Sequence, residues 1–393
     1  DFVEPAEAAA AGFSFRENPG SGMRIRAFEA GTFTVDFSPP AGTVGTAAAT
    51  IRIESSSITD PVVEVDLVAE VAPNEAPLAC VYVREVHHVD GTVDRYEPGD
   101  EVGIVRPADQ VILDARAEDG CSGDPEDGAA IEVDWTAETP TNRGRLDAVG
   151  GQPMQRRLEI DATGTYRVAV EVRDSLGRTS TTDAAGNPAE VELVAVPQED
   201  VAVEISWAGS PDVDLDLHFV RAQGLGGMGT DDDCHWDNPS PNWGGPDRFD
   251  DPRYLVDSSG ADDGLVETTV LNGPEAGFNY WIYAHYARDR RLERNQAASC
   301  SATSECADGL VCSAGRCMAP VEVRLRVFFD GAEFDLTGMP DTAILEGPCD
   351  TWLAGRVFVP AGGGAPSFAT DALPVFQEGM IGENATCILS SGT

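Results

Sequence analysis

Residues 206–220 read SWAGSPDVDLDLHFV, and the alternation of apolar and charged side chains predicts a β-strand. Successive side chains of a strand point to opposite faces. One face is apolar and is expected to join a core: Val213, Leu215, Leu217 and Phe219. The other face is expected to point to water: Asp212, Asp214, Asp216 and His218. Its three carboxylates would lie about 7 Å apart along the strand and repel one another.

Strand signals of this kind recur along the whole chain of 393 residues. Short apolar or alternating runs, such as VVEVDLVAEV at 62–71, are separated by Gly, Pro, Asn and Asp. The dipeptides Asp90-Gly91 and Asp330-Gly331 predict tight hairpins. The sequence therefore predicts an all-β fold of tandem immunoglobulin-like or jelly-roll β-sandwiches, with a small disulfide-rich insertion.

Two segments rich in Pro and acidic residues predict linkers, EVAPNEAP at 70–77 and VAVPQEDVAV at 194–203. They divide the chain into three predicted domains, 1–73, 74–198 and 199–393, the last with a cysteine-rich insertion at 293–319.

The charge balance is strongly acidic, with 68 Asp and Glu against 26 basic residues and a net charge of −42. Nucleic acid is held by basic clusters, so a nucleic-acid partner is excluded, and an anionic membrane surface is disfavoured for the same reason. All the basic residues are Arg, which excludes lysine Schiff-base and P-loop chemistry. No apolar run is long enough to insert into a membrane.

Nine cysteines are present, four of them in SCSATSECADGLVCSAGRCM at 299–318. The segment has no C-x-x-C pair, so disulfides are favoured over zinc. The predicted bonds are Cys300–Cys312, Cys306–Cys317 and Cys349–Cys387, with Cys234 left unpaired. Disulfides predict export to the cell surface or extracellular space. The start, DFVEPAEAAAAGF, is not a signal peptide, so either a signal was removed or the chain is a fragment.

The first predicted domain contains FEAGTFTVDFSPPAGTVGTAAATIRIESSSITDPVVEVDLVAEV at 28–71. This stretch resembles the second half of a Hydin-type immunoglobulin-like domain, which is common in bacterial surface proteins. The family's first strands are not visible upstream. The resemblance implies that the chain begins inside a domain or that a neighbouring chain supplies the missing strands.

The second predicted domain contains VILDARAEDG at 111–120, IEVDW at 131–135 and GTYRVAVEVRDSLGRTS at 164–180. These runs resemble the polycystic-kidney-disease (PKD) type of immunoglobulin-like domain, although TAETPTNRG replaces the family's Gly-Asp-Gly turn. The resemblance implies that Trp135 fills the core and that Tyr166 makes a corner contact to the backbone. Cys80 and Cys121 both lie in this domain and are expected to pair.

The third predicted domain carries WAGSPDVDLDLH at 207–218, which ends in D-x-D-L-H, D-C-H-W-D-N-P-S-P-N-W-G at 233–244 and D-D-P-R-Y-L-V-D at 250–257. These motifs resemble a secreted β-domain of myxobacterial-type surface proteins, similar in style to pre-peptidase carboxy-terminal jelly rolls. The resemblance implies no catalytic activity.

The acidic residues of this domain predict a calcium site, because Ca²⁺ takes six to eight oxygen ligands from carboxylates and carbonyls. The candidate ligands are Asp212, Asp214, Asp216, Asp233, Asp257, Asp262 and Asp263. Solvated acids are the alternative. An EF-hand is rejected, because Leu217 and Gln223 stand where its Gly and Glu belong. A zinc site formed by Asp216, His218 and His235 is a less favoured hypothesis.

Two tryptophans, Trp236 and Trp243, lie in a Pro-rich segment beside these acids. They could stack on the faces of sugars, or they could fold back and cap the sandwich.

The favoured function is a non-enzymatic, exported cell-surface protein with a structural or adhesive role, stabilised by calcium and disulfides. Its expected partners are other surface proteins, copies of itself in a filament or other assembly, or a polysaccharide. The alternatives are a calcium-dependent array of carbohydrate-binding modules and a secreted metal-dependent hydrolase.

Overall fold

The structure is a computed structural model. It describes residues 1–16, 31–40, 43–56, 59, 61–116, 121–124, 132–141, 145–208, 212–244, 249–258, 265–294, 297–313, 315–362 and 364–370. These residues form antiparallel β-sheets and two short helices, which confirms the all-β prediction. Within this part of the chain, no helix has the length and apolar character needed to cross a membrane.

The first strands form two small sheets. They follow the helix α1 (Pro5–Ala10) and are β1 (Phe13–Phe15), β2 (Val35–Phe37), β3 (Gly45–Glu54) and β4 (Val62–Val71). β1 pairs with β2, and β3 pairs with β4. Ala8, Phe13 and Ala47 form a small core between them. Val63 and Val68 on β4 stay exposed.

The second group of strands forms a β-sandwich. Its strands are β5 (Tyr82–His87), β6 (Val93–Arg95), β7 (Gln110–Asp114), β8 (Glu132–Glu138), β9 (Leu146–Val149), β10 (Gln152–Glu159), β11 (Gly164–Arg173), β12 (Thr179–Ser180) and β13 (Glu190–Ala195). One sheet has the order β6-β5-β7-β10-β9, and in the other β11 pairs with β8, β12 and β13. The apolar faces meet in one core that contains Val111, Leu113 and Val168.

Two side chains of this second sandwich were expected to have structural roles. Tyr166 makes the expected corner contact, because its hydroxyl accepts a hydrogen bond from the backbone N–H of Ala162 at 2.8 Å and donates to Asp161 at 2.7 Å. Trp135 is not fully buried, and it packs against the edge of the core. Its exposed side lies under the Arg156 guanidinium, 5.6 Å from the ring centroid.

The third group of strands forms a larger sandwich. Its strands are β14 (Val201–Ala208), β15 (Val213–Ala222), β16 (Asp233–Cys234), β17 (Arg253–Val256), β18 (Val266–Leu271), β19 (Asn279–Asp289), β22 (Val321–Phe329), β23 (Ala332–Glu333), β24 (Thr342–Leu345), β25 (Thr351–Phe358) and β26 (Ser367–Ala369). One sheet has the order β16-β15-β19-β25-β26. The other has the order β17-β18-β14-β22, with β23 and β24 both paired to β22.

The hairpin between β22 and β23 turns at Asp330-Gly331, as predicted. Both residues have positive φ, 48° and 77°, which is the backbone geometry of a type I′ turn.

The disulfide-rich insertion lies between β19 and β22. It contains the helix α2 (Arg290–Glu293), a 3₁₀ turn (Thr303–Glu305) and the hairpin of β20 (Val311–Ser313) and β21 (Arg316–Met318). The bonds Cys300–Cys312 and Cys306–Cys317 are present, as predicted.

The remaining cysteines also follow the predictions where the structure describes them. Cys80 pairs with Cys121, with a Cα–Cα distance of 5.1 Å. Cys234 is a buried free thiol. Cys387, the partner predicted for Cys349, lies outside the described residues.

The paired strands fall into the three groups described above, with no strand in 72–81 or 196–200. These intervals overlap the predicted linkers. The second predicted linker also includes the end of β13 at Ala195 and the start of β14 at Val201. The three-domain division stays a prediction.

Candidate metal centre

Strand β15 places its apolar residues in the main core, as expected. Val213, Leu215, Leu217 and Phe219 have no exposed surface. The alternation predicts that the opposite face points to water, but much of this face is buried. Asp216 is only 9% exposed and His218 only 5% exposed. The carboxylates of this face are therefore held in a medium of lower dielectric than water.

The segment that follows β15 covers this second face. The indole Nε1 of Trp236 donates a hydrogen bond to Oδ2 of Asp216 at 3.1 Å. The ring of His235 stacks on the ring of His218, with 5.0 Å between centroids. Trp281, on the neighbouring strand β19, donates to the backbone oxygen of Gly224 at 2.6 Å. The covering segment is thus tied to both strands beneath it.

The register between β15 and β19 completes a cluster of possible metal ligands. Asp216 pairs with His285, and His218 pairs with Tyr283. Cross-strand partners point to the same face, so one ligand atom each of Asp216, His218 and His285 lies within 4.8 Å of the others. We call these three residues the imidazole cluster.

His218 is held in one orientation by Asp233. Its Nδ1 lies 2.7 Å from Oδ2 of Asp233, which has no exposed surface. The backbone N–H of Gly229 donates to the same oxygen at 2.7 Å. The Nε2 atom of His218 is buried and has no hydrogen-bond partner among the described residues. A buried polar atom without a partner is costly, and a ligand bound to this atom would remove that cost.

The electrostatics of the imidazole cluster reflect burial and this pairing. Burial lowers the pKa of His285 to about 3, with a further contribution from His218, so His285 is neutral at physiological pH. Burial opposes the charge of His218, but the charge and hydrogen bond of Asp233 outweigh it and raise the pKa of His218. The pKa of Asp233 is lowered, since the His218 interaction outweighs the burial of the carboxylate.

A second cluster consists of carboxylates from both sheets. Asp214 and Asp216 lie on β15, and Glu267 lies on β18 of the opposite sheet. One oxygen of each lies within 4.8 Å of the others. Glu267 has no exposed surface, and it accepts a hydrogen bond from the backbone N–H of Leu217. We call these three residues the carboxylate cluster.

The carboxylate cluster is electrostatically crowded. Burial, followed by the charges of Asp216 and Asp257, raises the pKa of Asp214 to about 7. Burial raises the pKa of Asp216 to about 6. The pKa of Glu267 is raised well above its usual range, mainly by burial and then by Asp216. A bound cation would favour the charged forms of all three groups.

The other predicted calcium ligands lie in different surroundings. Asp212 pairs with Arg294 and stands outside both clusters. Asp233 is occupied by His218. Asp257 is exposed, but its charge acts on the carboxylate cluster. Asp262 and Asp263 lie outside the described residues.

The two tryptophans have different positions. Trp236 is 52% exposed, whereas Trp243 is 4% exposed and packs 6.0 Å from Phe219 and 5.4 Å from Tyr280 between ring centroids. Trp243 cannot stack on a ligand, because it belongs to the core. Its segment folds back so that Trp243 joins the main core of the sandwich.

Sequence reasoning missed Glu267 and His285. His285 lies in YWIYAHYA, whose alternation predicts a strand, whereas Glu267 lies in VETTV, which was not predicted as a strand. Neither run shows which strands are its neighbours in the fold. The hypothesised zinc ligand His235 stacks on His218, and His285 takes its place in the imidazole cluster.

No family model matches this chain, and no curated protein does. One solved structure that matches is an endo-fucoidan hydrolase from glycoside hydrolase family 107, with 11% identity and a TM-score of 0.20. The match covers 71% of this chain and 37% of that enzyme, so the chain spans little more than a third of its length. A likeness this low carries no argument about function.

Proposed function

We propose that this chain is an exported, non-enzymatic surface protein with a structural or adhesive role, whose third sandwich is locked by a calcium ion in the carboxylate cluster. The observation that carries the proposal is the convergence of three buried or partly buried carboxylates from two different sheets. A cation among them would connect β15 to β18.

A connection at this place would matter for the stability of the sandwich. β16 pairs with β15 only at Phe219 and Val220. Further along the same edge, the backbone N–H of Leu217 is satisfied by the side chain of Glu267 rather than by a strand. A calcium ion held by Asp214, Asp216 and Glu267 would close this edge and cancel the repulsion between the carboxylates.

The exported location is supported by the disulfides and by the resemblance to surface domains. Three disulfides lie in the described residues, and such bonds persist in oxidising compartments. The net charge of −42 suits surroundings that supply screening ions or divalent cations. Hydrogen bonds between the second and third sandwiches, such as that from the Thr163 N–H to Glu204, suit a stiff surface rod.

The experiment is a thermal melt of chelator-treated protein with and without added Ca²⁺. Calcium at about 100 times its Kd stabilises a one-site protein by about 2.7 kcal/mol. We expect Glu267→Gln to keep the fold, because the amide oxygen can still accept the hydrogen bond from the Leu217 N–H, but to lose the calcium-dependent rise in Tm. Glu322→Gln is the control, since Glu322 is an exposed acid of the same sandwich.

If Glu267→Gln shows the same calcium-dependent rise as the parent chain, the ion lies elsewhere and the proposed lock is wrong. A parent chain whose Tm does not change when calcium is added would also overturn the proposed calcium lock.

A calcium-dependent carbohydrate-binding module is the second candidate, and one observation favours it. Trp236 is half exposed and donates a hydrogen bond to Asp216, so an aromatic surface lies next to the carboxylate cluster. Such a surface can stack on a sugar ring. The test is a glycan array with and without calcium. Loss of every signal in Trp236→Ala would support this candidate, and an array without any calcium-dependent signal would reject it.

A further inference from the structure

We propose that Asp216, His218 and His285 bind a transition-metal ion of the zinc class, at a site distinct from the calcium lock. The donor set is the first argument. Two imidazole nitrogens and one carboxylate oxygen suit Zn²⁺ and related ions, whereas Ca²⁺ prefers oxygen alone. The proposal does not depend on the calcium lock, because His218 and His285 belong only to the imidazole cluster.

The geometry of the cluster is the second argument. Ligand atoms bound to one tetrahedral Zn²⁺ at about 2.1 Å lie about 3.4 Å apart. In the structure the three ligand atoms lie within 4.8 Å of one another. Small side-chain rotations therefore bring them to one ion, and the backbone of β15 and β19 need not move. The strand register itself places Asp216 beside His285.

The surroundings of His218 are the third argument. Metal-bound histidines usually donate their second ring N–H to a carboxylate or a carbonyl, which fixes the ring and its tautomer. His218 has this arrangement, since Nδ1 faces the buried Asp233 at 2.7 Å. The remaining nitrogen, Nε2, is buried without a partner in the described part of the chain. A metal ion would satisfy that atom.

Asp216 belongs to both the imidazole cluster and the carboxylate cluster, so it is a ligand shared by the two proposed sites. Its Oδ2 accepts from Trp236, and a carboxylate has further lone pairs on both oxygens. When both ions are present, Asp216 bridges them. Glu267 belongs only to the carboxylate cluster and His285 only to the imidazole cluster, so substitutions of these two residues test the sites separately.

The experiment is a titration of chelator-treated, tag-free protein with Co²⁺, whose visible absorption reports its coordination. We expect one equivalent of Co²⁺ to give the bands of a nitrogen- and oxygen-bound ion, to be displaced by Zn²⁺ and to resist millimolar Ca²⁺. His285→Gln should weaken binding at least 100-fold. Asp233→Asn, which removes only the orienting partner, should weaken it about 10- to 100-fold.

Two controls separate this site from others. His235→Gln changes a stacked neighbour outside the cluster and should leave Co²⁺ affinity within a few-fold of the parent chain. Glu267→Gln should abolish the calcium effect but keep Co²⁺ binding, so failure of one site is distinguishable from failure of the other. X-ray absorption spectroscopy of the zinc-loaded parent chain needs no variant, and the spectrum should show two imidazole ligands. A zinc ion without imidazole ligands, or equal Co²⁺ affinity in His285→Gln, would overturn the proposal.

Discussion

Arg326 on β22 and the buried Glu204 on β14 form an ion pair that also contacts the preceding sandwich. The guanidinium Nη1 lies 3.0 Å from Oε1 of Glu204 and 2.9 Å from the backbone oxygen of Thr163. Glu204 in turn accepts a hydrogen bond from the backbone N–H of Thr163 at 2.8 Å. One ion pair therefore joins the second and third groups of strands.

The first prediction concerns the loss of this pair. Arg326→Gln leaves the carboxylate of Glu204 buried without its cation, and breaking a buried pair in this way costs about 3–5 kcal/mol. We expect a loss at the lower end of that range, because Arg326 keeps 21% of its side chain exposed. Urea unfolding followed by tryptophan fluorescence measures it, since every tryptophan except Trp135 lies in the third sandwich.

Arg324→Gln is the matched control on the same strand. Arg324 is 61% exposed and lies 4.0 Å from Asp341, so its loss should change the free energy of unfolding by less than about 1 kcal/mol. Equal effects of the two substitutions would contradict a special role for Arg326.

The second prediction concerns the corner made by Tyr166. Tyr166→Phe removes the hydroxyl that bonds Asp161 and the Ala162 backbone, and it leaves the buried N–H of Ala162 without its acceptor. The expected loss is about 1–3 kcal/mol. Calorimetry should show a lower Tm for the second sandwich and an unchanged third one. A variant as stable as the parent chain would show that the corner is dispensable.

The third prediction concerns the disulfide-rich insertion. A two-stranded hairpin such as β20–β21 is marginal by itself, and each disulfide that closes a loop of this size contributes about 3 kcal/mol. Replacing Cys306 and Cys317 together by Ser should therefore remove hydrogen-exchange protection from the hairpin. Protection in β14 and β22 should persist, because their core residues come from the sandwich. Loss of protection in β22 as well would show that the insertion supports the sandwich.

The strands and their core faces could be predicted from local patterns. Leu215 and Leu217 are buried as the alternation of β15 requires, and Asp330-Gly331 turns the chain by its intrinsic backbone preference. The bonds Cys300–Cys312 and Cys306–Cys317 agree with the predicted pairing, but four cysteines allow three pairings and the sequence pattern does not select among them.

The candidate site could be predicted only in part. Asp214 and Asp216 stood out by their repetition, but Glu267 is 50 residues from Leu217, whose backbone it contacts. No local pattern specifies which strand of the opposite sheet faces β15. Asp216 and His218 are buried because the segment after β15 folds back over them. The Gly, Pro and Asp residues of that segment predict turns, but they do not show which strand face the segment covers.

The last prediction concerns pH. His88 lies with Nδ1 2.9 Å from Asp109 and Nε2 3.2 Å from Asp94. Burial and the nearby Arg106 oppose its charge, but the two carboxylates outweigh them and raise its pKa above the usual value. The charged form is thus favoured by folding. Its stabilisation is fully present below about pH 6.5, the ordinary value for histidine, and is lost as the pH rises through the raised pKa.

A histidine NMR titration measures this pKa directly, since the chain has only five histidines. Melting temperatures across the same pH range should show a fall in the parent chain that His88→Gln lacks. Asp94→Asn, which removes the exposed partner and keeps the buried Asp109, should bring the pKa of His88 part of the way back. An ordinary value for His88 would leave its contribution independent of pH, and a value below the ordinary one would make the stability of the second sandwich increase with pH; either result would contradict the prediction.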